Sequence, residues 1–180
     1  MKNRRILFEP TVISIEPFYA ACAILLPMLL TLAHIGARPA ARDPLESLVA
    51  DYLKRCSILA PARAPANAEA FRTQEAFLEW LDRSPGRARP LAVLLDSRGR
   101  AFTSEAFAAW LGQQRDSGAQ HIVFAVGPAS GWSAQALAHA QLTLSLGPLT
   151  FAHALARLVL AEQLYRAATI LAGHPYHTGH

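Results

Sequence analysis

Charge is nearly absent from the C-terminal third of the chain. Charged residues make up 17% of the 180 residues, below the usual quarter of a globular protein. Across residues 117–180 the charged side chains are Arg157, Glu162 and Arg166. A segment so poor in charge must be largely buried, in a core or against a partner, and the charges kept there are either paired or functional.

Cysteine is also scarce, which argues against the sites that depend on it. The two cysteines, Cys22 and Cys56, lack the spacing of a metal site, and neither resembles a nucleophile. His174, His177 and His180 have no carboxylate near them in the sequence, whereas a structural zinc ion takes four ligands. We therefore predict no metal site and a reducing, cytoplasmic location.

The sequence also lacks the motifs of covalent, hydrolytic and nucleotide-dependent chemistry. No Ser/His/Asp or Cys/His arrangement is legible, and His153 has no orienting carboxylate nearby in the sequence. The glycine turn at 127–131 has neither the spacing of a dinucleotide fingerprint nor the lysine of a Walker loop. The length fits one domain, and the net charge of +4 is compatible with an anionic partner such as RNA.

An apolar run at residues 18–35 raises the question of a membrane span. The run lies at the short limit for a span, and Pro27 interrupts it. Residues 28–36 instead have the pattern of a buried strand closed by a glycine turn. We favour the strand over a membrane anchor. We expect residues 1–27 to be an extension before a domain over 28–180, with Met28 as a candidate true start.

Apolar runs alternate with helical patterns along the rest of the chain. This order predicts an α/β fold with a mainly parallel sheet flanked by helices. The predicted strands are 28–35, 56–60, 91–95, 122–126 and 142–146. The predicted helices are 45–55, 69–82, 103–114, 133–140 and 152–172. Residues 61–68 are predicted to be a loop and 96–100 a turn, and Asp43, Thr150 and Gly173 are predicted to cap helices.

Two uncharged loops follow buried strands at the predicted carboxyl edge of the sheet, where open α/β folds bind ligands. One covers 127–131 and the other, 146–151, reads Leu-Gly-Pro-Leu-Thr-Phe. Glycine lets a backbone approach a ligand closely, and both loops offer backbone amides and carbonyls without an acid, base or metal ligand. Such a lining suits an adenine ring and a methyl thioether. The alternative is that both loops are simple connections.

The last helix and its tail carry candidate polar groups. Glu162 and Arg166 lie four residues apart on one helix face and can pair. Either they neutralise each other in a dimer interface, or Arg166 faces an anionic substrate, and their spacing does not separate these readings. In the tail, Tyr176 can stack on a base and His177 can hydrogen-bond to a phosphate or base.

These stretches contain several motifs in a fixed order. The motifs are Leu95-Asp at a strand end, Gly127-x-x-x-Gly, Leu146-x-x-x-Thr-Phe-x-His, Arg157-x-x-x-x-Glu-Gln-Leu-Tyr-Arg-Ala and Pro175-Tyr-His. Through these motifs, the chain resembles the ribosomal RNA large subunit methyltransferase H family, within the SPOUT methyltransferases, over residues 28–177. It departs from the family at Ala152, where proline is usual, and at Pro128, where a second glycine is usual and where proline removes an amide donor.

The resemblance implies a C-terminal trefoil knot over roughly 91–175, a rare feature in proteins. It also implies a homodimer, S-adenosylmethionine as methyl donor, and methylation of N3 of a pseudouridine in 23S rRNA within the assembled 70S ribosome. The implied cofactor contacts are Leu95, Gly127, Leu146, Gly147, Pro148, Leu149, Thr150 and Phe151.

For catalysis we assign Arg166, His177 and His153, and for RNA contacts Arg157 and Tyr176. Arginines replace the lysine clusters common in the family, and they are Arg83, Arg87, Arg89, Arg98 and Arg100. Two alternatives stay open. One is a SPOUT methyltransferase that acts on a different RNA site, and the other is a non-catalytic module that binds S-adenosylmethionine or RNA, which Pro128 suggests.

Overall fold

The computed structural model describes residues 28–40, 43–59, 65–83 and 88–177, except for the side chains of Ile58, Leu59 and His177. The strands are β1 (Leu29–Ile35), β2 (Ala66–Phe71), β3 (Leu91–Ala101), β4 (His121–Val126) and β5 (Leu142–Ser145). The helices are α1 (Pro44–Leu59), α2 (Gln74–Arg83), α3 (Ser104–Asp116), α4 (Ala134–His139) and α5 (His153–Leu171), followed by a 3₁₀ turn at Pro175–His177. The predicted extension 1–27 and Arg87 lie outside the described residues.

The strands form one parallel sheet in the order β2-β1-β4-β3-β5. Its middle strands are apolar and buried because helices cover both faces. Helices α1, α3 and α5 pack over the face that contains Leu32 and Phe124. Helices α2 and α4 pack over the opposite face, which contains Ala33 and Leu94. The predicted α/β class with a parallel sheet is confirmed.

Strand β1 confirms the prediction for residues 28–35. It pairs with β2 on one side and with β4 on the other, and Leu30 to Ile35 are buried. The second half of the apolar run 18–35 is therefore a central strand rather than part of a membrane helix. Within the described ranges, no helix combines the length and the hydropathy needed to cross a membrane.

The region between β1 and α2 differs from the prediction. Cys56 belongs to α1 rather than to a strand, because Val49, Leu53 and Cys56 share one buried helix face at helical spacing. The Cys56 thiol points at the Leu164 carbonyl of α5, with Sγ 3.8 Å from the oxygen. The predicted strand 56–60 is thus wrong for residues 56–59.

The predicted loop 61–68 and helix 69–82 are also partly wrong. Residues 66–71 form β2, an edge strand whose sequence Ala-Asn-Ala-Glu-Ala-Phe lacks the β-branched residues typical of strands. The tertiary setting forms it: its backbone pairs with β1, and the Ala66 amide donates to Ser57 Oγ at 2.8 Å. Helix α2 consequently starts only at Gln74. Phe71, predicted to lie on this helix, is the last residue of β2 and packs against Phe77 of α2.

Strand β3 runs beyond the predicted turn at 96–100. Leu95 and Arg100 both stand opposite Leu144 of β5, so the residues between them form a bulge. The bulge closes tightly at Gly99, where a Cβ atom would lie 2.7 Å from the Thr143 carbonyl group. Sequence periodicity stops at this bulge because the residues within it no longer alternate between the two faces.

The helix caps are confirmed in two cases and wrong in one. Asp43 Oδ1 accepts the Leu45 amide at 2.9 Å, and Gly173 ends the last helix with a φ of 65°. Thr150 does not cap α5. The cap position is Ala152, which makes no side-chain hydrogen bond, so α5 begins without a polar cap.

Candidate functional site

A cleft of about 500 Å³ lies at the carboxyl edge of β3, β4 and β5. Parallel strands end at one edge of a sheet, so the segments that follow them converge there. Of the eight predicted cofactor residues, all of them described, seven line the cleft: Leu95, Gly127, Leu146, Gly147, Leu149, Thr150 and Phe151. The eighth, Pro148, is exposed and is not part of the lining.

Trp132 organises the turn after β4. Its indole Nε1 donates to the Leu95 carbonyl at 2.8 Å, which joins the ends of β3 and β4. A Cβ atom at Gly127 would lie 2.7 Å from the Trp132 ring, so only glycine fits there. The Gly131 amide donates to the Pro128 carbonyl at 2.9 Å and closes the turn. The sequence prediction missed Trp132, although its place directly after the second glycine was a usable signal.

The loop after β5 is held by the side chain of Ser145. Its Oγ accepts the Gly147 amide and donates toward the Ser97 carbonyl, each at 3.2 Å. Gly147 has a φ of 123°, a conformation that favours glycine. Leu149 at the rim is 72% exposed. The loop is therefore fixed at its base and presents an uncovered apolar side chain at the mouth of the cleft.

Asp96 and Arg98 form the rim contributed by the β3 bulge. The Arg98 side chain donates to both carboxylate oxygens of Asp96, at 3.1 and 3.0 Å, and the Arg98 amide donates to Oδ1 at 2.9 Å. These hydrogen bonds from Arg98 hold the pKa of Asp96 below its usual range. Asp96 is therefore an anion that is already occupied by a partner, not a free acid or base.

Of the predicted catalytic residues, His153 lines the cleft and Arg166 does not. Arg166 Nε and Nη2 donate to Glu162 Oε1 at 3.0 and 2.7 Å. Its guanidinium carbon lies 5.1 Å from the centre of the Tyr176 ring, and the Tyr176 hydroxyl donates to Glu162 Oε1 at 3.3 Å. We call Glu162, Arg166 and Tyr176 the C-terminal cluster. The backbone of His177 follows it, and the His177 side chain lies outside the described residues.

The C-terminal cluster contains one cation, Arg166, whose charge is balanced by that of Glu162. The hydrogen bonds that Arg166 donates to the Glu162 carboxylate raise the pKa of Arg166, so its guanidinium is always charged. Burial raises the pKa of Tyr176, so its hydroxyl stays protonated and able to donate. The intrahelical pair predicted from the spacing of Glu162 and Arg166 is confirmed.

Helix α5 separates the two groups of predicted catalytic residues. His153 is its first residue and Arg166 lies 13 positions further on, a distance of about 20 Å at 1.5 Å per residue. A side chain bridges only a fraction of that distance. The cleft and the C-terminal cluster of one chain therefore do not form a single site.

Arg157 does not occupy the exposed position predicted for an RNA contact. Its side chain is 5% exposed, and its Nη1 lies 2.9 Å from Glu46 Oε2 and 3.5 Å from His34 Nδ1. These partners come from α1 and β1. Arg157 is a buried ion-paired residue, and this part of the prediction is corrected.

Four of the five arginines predicted to supply positive charge are described, and each of these exposed residues contacts a neighbouring side chain. The described pairs are Arg83–Glu79, Arg89–Asp82, Arg98–Asp96 and Arg100–Phe102. Exposed ion pairs of this kind are weak and exchange readily with other partners. Over the described ranges, no group of three or more His, Cys, Asp and Glu residues is arranged to hold a metal ion.

The family model for predicted SPOUT methyltransferases matches residues 28–177. A ribosomal RNA large subunit methyltransferase H from Koribacter versatilis is 46% identical over 136 residues, which cover 76% of this chain and 90% of the relative. The enzyme of the same name from Rhizobium leguminosarum is 44% identical over 125 residues, covering 69% of this chain and 76% of the relative.

A more distant similarity is to the crystal structure of the SpoU methyltransferase AviRb from Streptomyces viridochromogenes in complex with AdoMet. It covers 78% of this chain and 58% of AviRb, with 12% sequence identity and a TM-score of 0.44. This similarity is too low to support an inference about function.

Proposed function

Since the chain belongs to the SPOUT methyltransferases and, within them, to the ribosomal RNA large subunit methyltransferase H family, we propose that it methylates N3 of a pseudouridine in 23S rRNA. The observation that carries this proposal is the cleft at the carboxyl edge of β3, β4 and β5. The methyl donor of SPOUT methyltransferases is S-adenosylmethionine. Ribosomal RNA is named as the substrate of the relatives, and its extension to this chain is the proposal.

The cleft fits this donor. Its volume of about 500 Å³ lies in the range of roughly 300–1,000 Å³ of small-molecule sites. Backbone groups of the two glycine-containing loops line it, together with the apolar side chains of Leu95, Leu149 and Phe151. An adenosine is recognised by such a combination, since the apolar side chains cover the ring and the amides and carbonyls bond to its edges.

When bound, S-adenosylmethionine supplies a methyl group on a positively charged sulfur, which is already a strong electrophile. The protein has chiefly to align this group with the acceptor nitrogen and to exclude water. The rigid turn around Trp132 and the loop held by Ser145 provide the alignment. Leu149 provides an apolar cover at the mouth of the cleft.

The acceptor nitrogen must lose a proton, and this requires residues outside the donor loops. Pseudouridine N3 is an imide nitrogen between two carbonyl groups, so negative charge develops on their oxygens as the proton leaves. Arg166, which is always cationic, can stabilise that charge. His153 in the cleft and His177 in the tail are the two candidate bases, and of these we favour His177.

We further propose that a second copy of the chain completes the site. Arg166 and His153 are about 20 Å apart along α5. Arg166 of one protomer therefore has to act on the pseudouridine that is bound at the cleft of the other protomer. The exposed apolar side chains Leu48 of α1 and Leu155 of α5 support a homodimer. The two chains then form equivalent composite sites related by a twofold axis.

We keep the trefoil knot over roughly 91–175 as part of the proposal. Strand β4 lies between β1 and β3, while the later strand β5 pairs with the far side of β3. Helix α5 then returns to pack beside α1. These crossings are compatible with a chain end that has passed through a loop.

The assembled 70S ribosome is the proposed substrate, which places the protein in the cytoplasm. Exposed arginines with weak partners would bind phosphates and position the dimer, and RNA shape would decide where it binds. Binding should therefore weaken as the salt concentration rises.

The test is methyl transfer to ribosomes from cells that lack this protein. Purified protein, labelled S-adenosylmethionine and these ribosomes should give one labelled pseudouridine in 23S rRNA, identified by mass spectrometry of nuclease digests. Free 23S rRNA, as a parallel substrate, should be labelled far less. A label on another nucleotide would establish a different RNA site. Absence of donor binding in calorimetry would favour the non-catalytic module.

A further inference from the structure

A buried ion pair and a histidine connect three elements beside the cleft. Arg157 of α5 lies 2.9 Å from Glu46 in the first turn of α1 and 3.5 Å from His34 near the end of β1. Arg157 and His34 are 5% and 7% exposed. We call these residues the Glu46–Arg157–His34 network. The function proposed above uses none of them directly.

The partners of His34 fix the form of its ring. The Ala37 carbonyl, 3.2 Å from Nε2, can only accept a hydrogen bond, and the Arg157 guanidinium can only donate one. Nε2 therefore carries the proton and Nδ1 presents its lone pair to Arg157. Neutral His34 satisfies both partners, whereas protonated His34 would direct an N–H group at the guanidinium.

The network is not the arrangement that stability alone would favour. Burying the Arg157 charge beside a Glu46 side chain that is 30% exposed has a desolvation cost, and well-packed apolar residues of similar volume are often as stable or more so. Glu46 Oε2 also has no hydrogen-bond partner among the described residues, although Arg157 lies within ionic distance. A role in geometry explains why a costly buried charge is placed here.

The position of Arg157 indicates what that geometry serves. Arg157 lies one turn after His153, and both His153 and Ala156 line the cleft. The donor-binding loop 146–151 leads directly into this first turn, and α5 has no side-chain cap at Ala152. The anchor that a cap usually provides is instead supplied by the contacts of Arg157 with α1 and β1.

We propose that the Glu46–Arg157–His34 network is a positioning device that sets the first turn of α5, and with it His153 and the end of the donor-binding loop, against the methyl donor. The inference rests on the proposed function of the cleft. None of the network residues contacts the reacting atoms in this account. Their effect passes through the backbone of α5.

The first test compares two carboxylates of the same helix. Glu46→Gln removes the charge that faces Arg157, and the matched control Asp51→Asn removes an exposed charge that pairs with Arg55. Glu46→Gln should raise the Kd for S-adenosylmethionine about tenfold, since small misplacements of aligned groups are costly. Asp51→Asn should leave this Kd within about twofold, as expected for an exposed pair.

A conservative variant separates positioning from simple folding. Arg157→Lys keeps the charge but loses the planar fork that can face Glu46 and His34 together. It should show the same weakened donor binding at temperatures well below its melting transition. If Glu46→Gln and Arg157→Lys lower the melting temperature but bind the donor as the control does, the network is merely structural and the proposal is overturned.

Acid should weaken the network through His34. Burial lowers the pKa of His34 from 6.5, and the groups facing it are Arg157 and His153 from α5, Glu46 from α1 and the Ala37 carbonyl. Donor affinity of the unaltered protein should therefore fall as the pH drops through the lowered pKa of His34. His34→Gln keeps a donor and an acceptor without titrating, so it should lose less affinity over the same range. Identical pH profiles would contradict the role of His34.

The two proposals can fail separately. If the unaltered protein transfers no methyl group to ribosomes while Glu46→Gln still weakens donor binding relative to Asp51→Asn, the proposed RNA reaction fails and the network is supported. If the unaltered protein is active and Glu46→Gln and Arg157→Lys match it in donor affinity and turnover, the network proposal fails and the proposed reaction is supported.

Discussion

The cleft and the C-terminal cluster lie at opposite ends of helix α5 and are built from different groups. The cleft is lined by two glycine-containing loops, with Gly127 close against the Trp132 ring, Gly147 at a positive φ and one engaged carboxylate at the rim. The C-terminal cluster consists of three polar side chains that bond to one another. Backbone suits a neutral nucleoside with fixed edges, while a paired guanidinium suits charge that appears only during reaction.

The difference suggests a division of labour between two copies of the chain. In the proposed mechanism, one end of α5 holds the donor, and the other end, about 20 Å away, carries the cation that assists the acceptor. A monomer would bind S-adenosylmethionine but lack the group that assists proton loss. Donor binding and methyl transfer should therefore respond to different substitutions.

The largest effect is expected for Arg166→Ala. Loss of a cation that stabilises charge in the transition state should lower methyl transfer to ribosomes by about 100-fold or more. The Kd for S-adenosylmethionine, measured by calorimetry, should stay nearly unchanged because Arg166 does not line the cleft. Arg115→Ala on α3, whose side chain pairs with Asp116, is the control for loss of one positive charge. Equal losses of affinity and turnover in Arg166→Ala would mean that Arg166 is structural.

Mixing two inactive variants should restore activity if the site is composite. Leu146→Arg places a cation in the cleft, and Arg166→Ala removes the cation of the C-terminal cluster. A heterodimer of the two contains one site without either change, so random exchange in an equal mixture should restore about a quarter of full activity. A mixture as inactive as its components would show that each chain completes its own site.

A smaller effect is expected for Gly127→Ala. The added Cβ atom would lie 2.7 Å from the Trp132 ring, so the turn must shift and the Kd for the donor should rise about tenfold. Gly118→Ala is the control, because a Cβ atom at Gly118 would meet no atom within 4 Å and Gly118 lies outside the cleft, although its φ of 89° makes the substitution locally strained. The control should lose about 1–2 kcal/mol of stability, the cost of a side chain at positive φ, with unchanged donor affinity. Equal donor affinities for the two variants would argue against the close approach at Gly127.

The smallest effect concerns His121, far from both sites at the amino edge of the sheet. Thr31 Oγ1 donates to Asn67 Oδ1 at 2.7 Å, so His121 Nε2–H must donate to Thr31, at 2.9 Å. Burial lowers the pKa of His121 from 6.5, and the unfolded chain therefore binds protons more readily below that value.

The free energy of unfolding should accordingly be full above pH 6.5 and decrease as the pH falls through the lowered pKa of His121. Urea unfolding at pH 7.5 and 5.5 measures this difference. His121→Gln should reduce it without removing it, because burial also lowers the pKa of His34. An unaltered pH dependence in His121→Gln would exclude His121 as a source.

The sequence predicts those parts of the site that depend on glycine and on missing charge. Gly127 and Gly147 were expected at ligand approaches, and the structure places both in the lining of the cleft. The strands β1 and β4 and the first half of β3 were also found, because largely apolar runs mark strands that are covered on both faces. The pairing of Glu162 with Arg166 followed from helical spacing alone.

Other features depend on contacts between distant segments and left no local signal. Strand β2 has a sequence typical of a loop and is a strand only because β1 pairs with it. Arg157 was assigned to RNA without knowledge of its partner, Glu46, which is 111 positions earlier in the chain. The distance between His153 and Arg166 could have been calculated from the sequence, because both residues lie on one helix. Only the structure shows that His153 lines the cleft and Arg166 does not.

The burial of Cys56 provides a built-in reporter of motion between α1 and α5. Its thiol points at a carbonyl of α5, so alkylating reagents cannot reach it while the two helices are packed together. Burial also raises the pKa of Cys56 to about 11, which keeps the thiol protonated and unreactive. In a Cys22→Ser background, the rate of Cys56 alkylation would then measure how often the two helices part. Slower labelling in the presence of S-adenosylmethionine would show that donor binding in the cleft reduces the opening between α1 and α5.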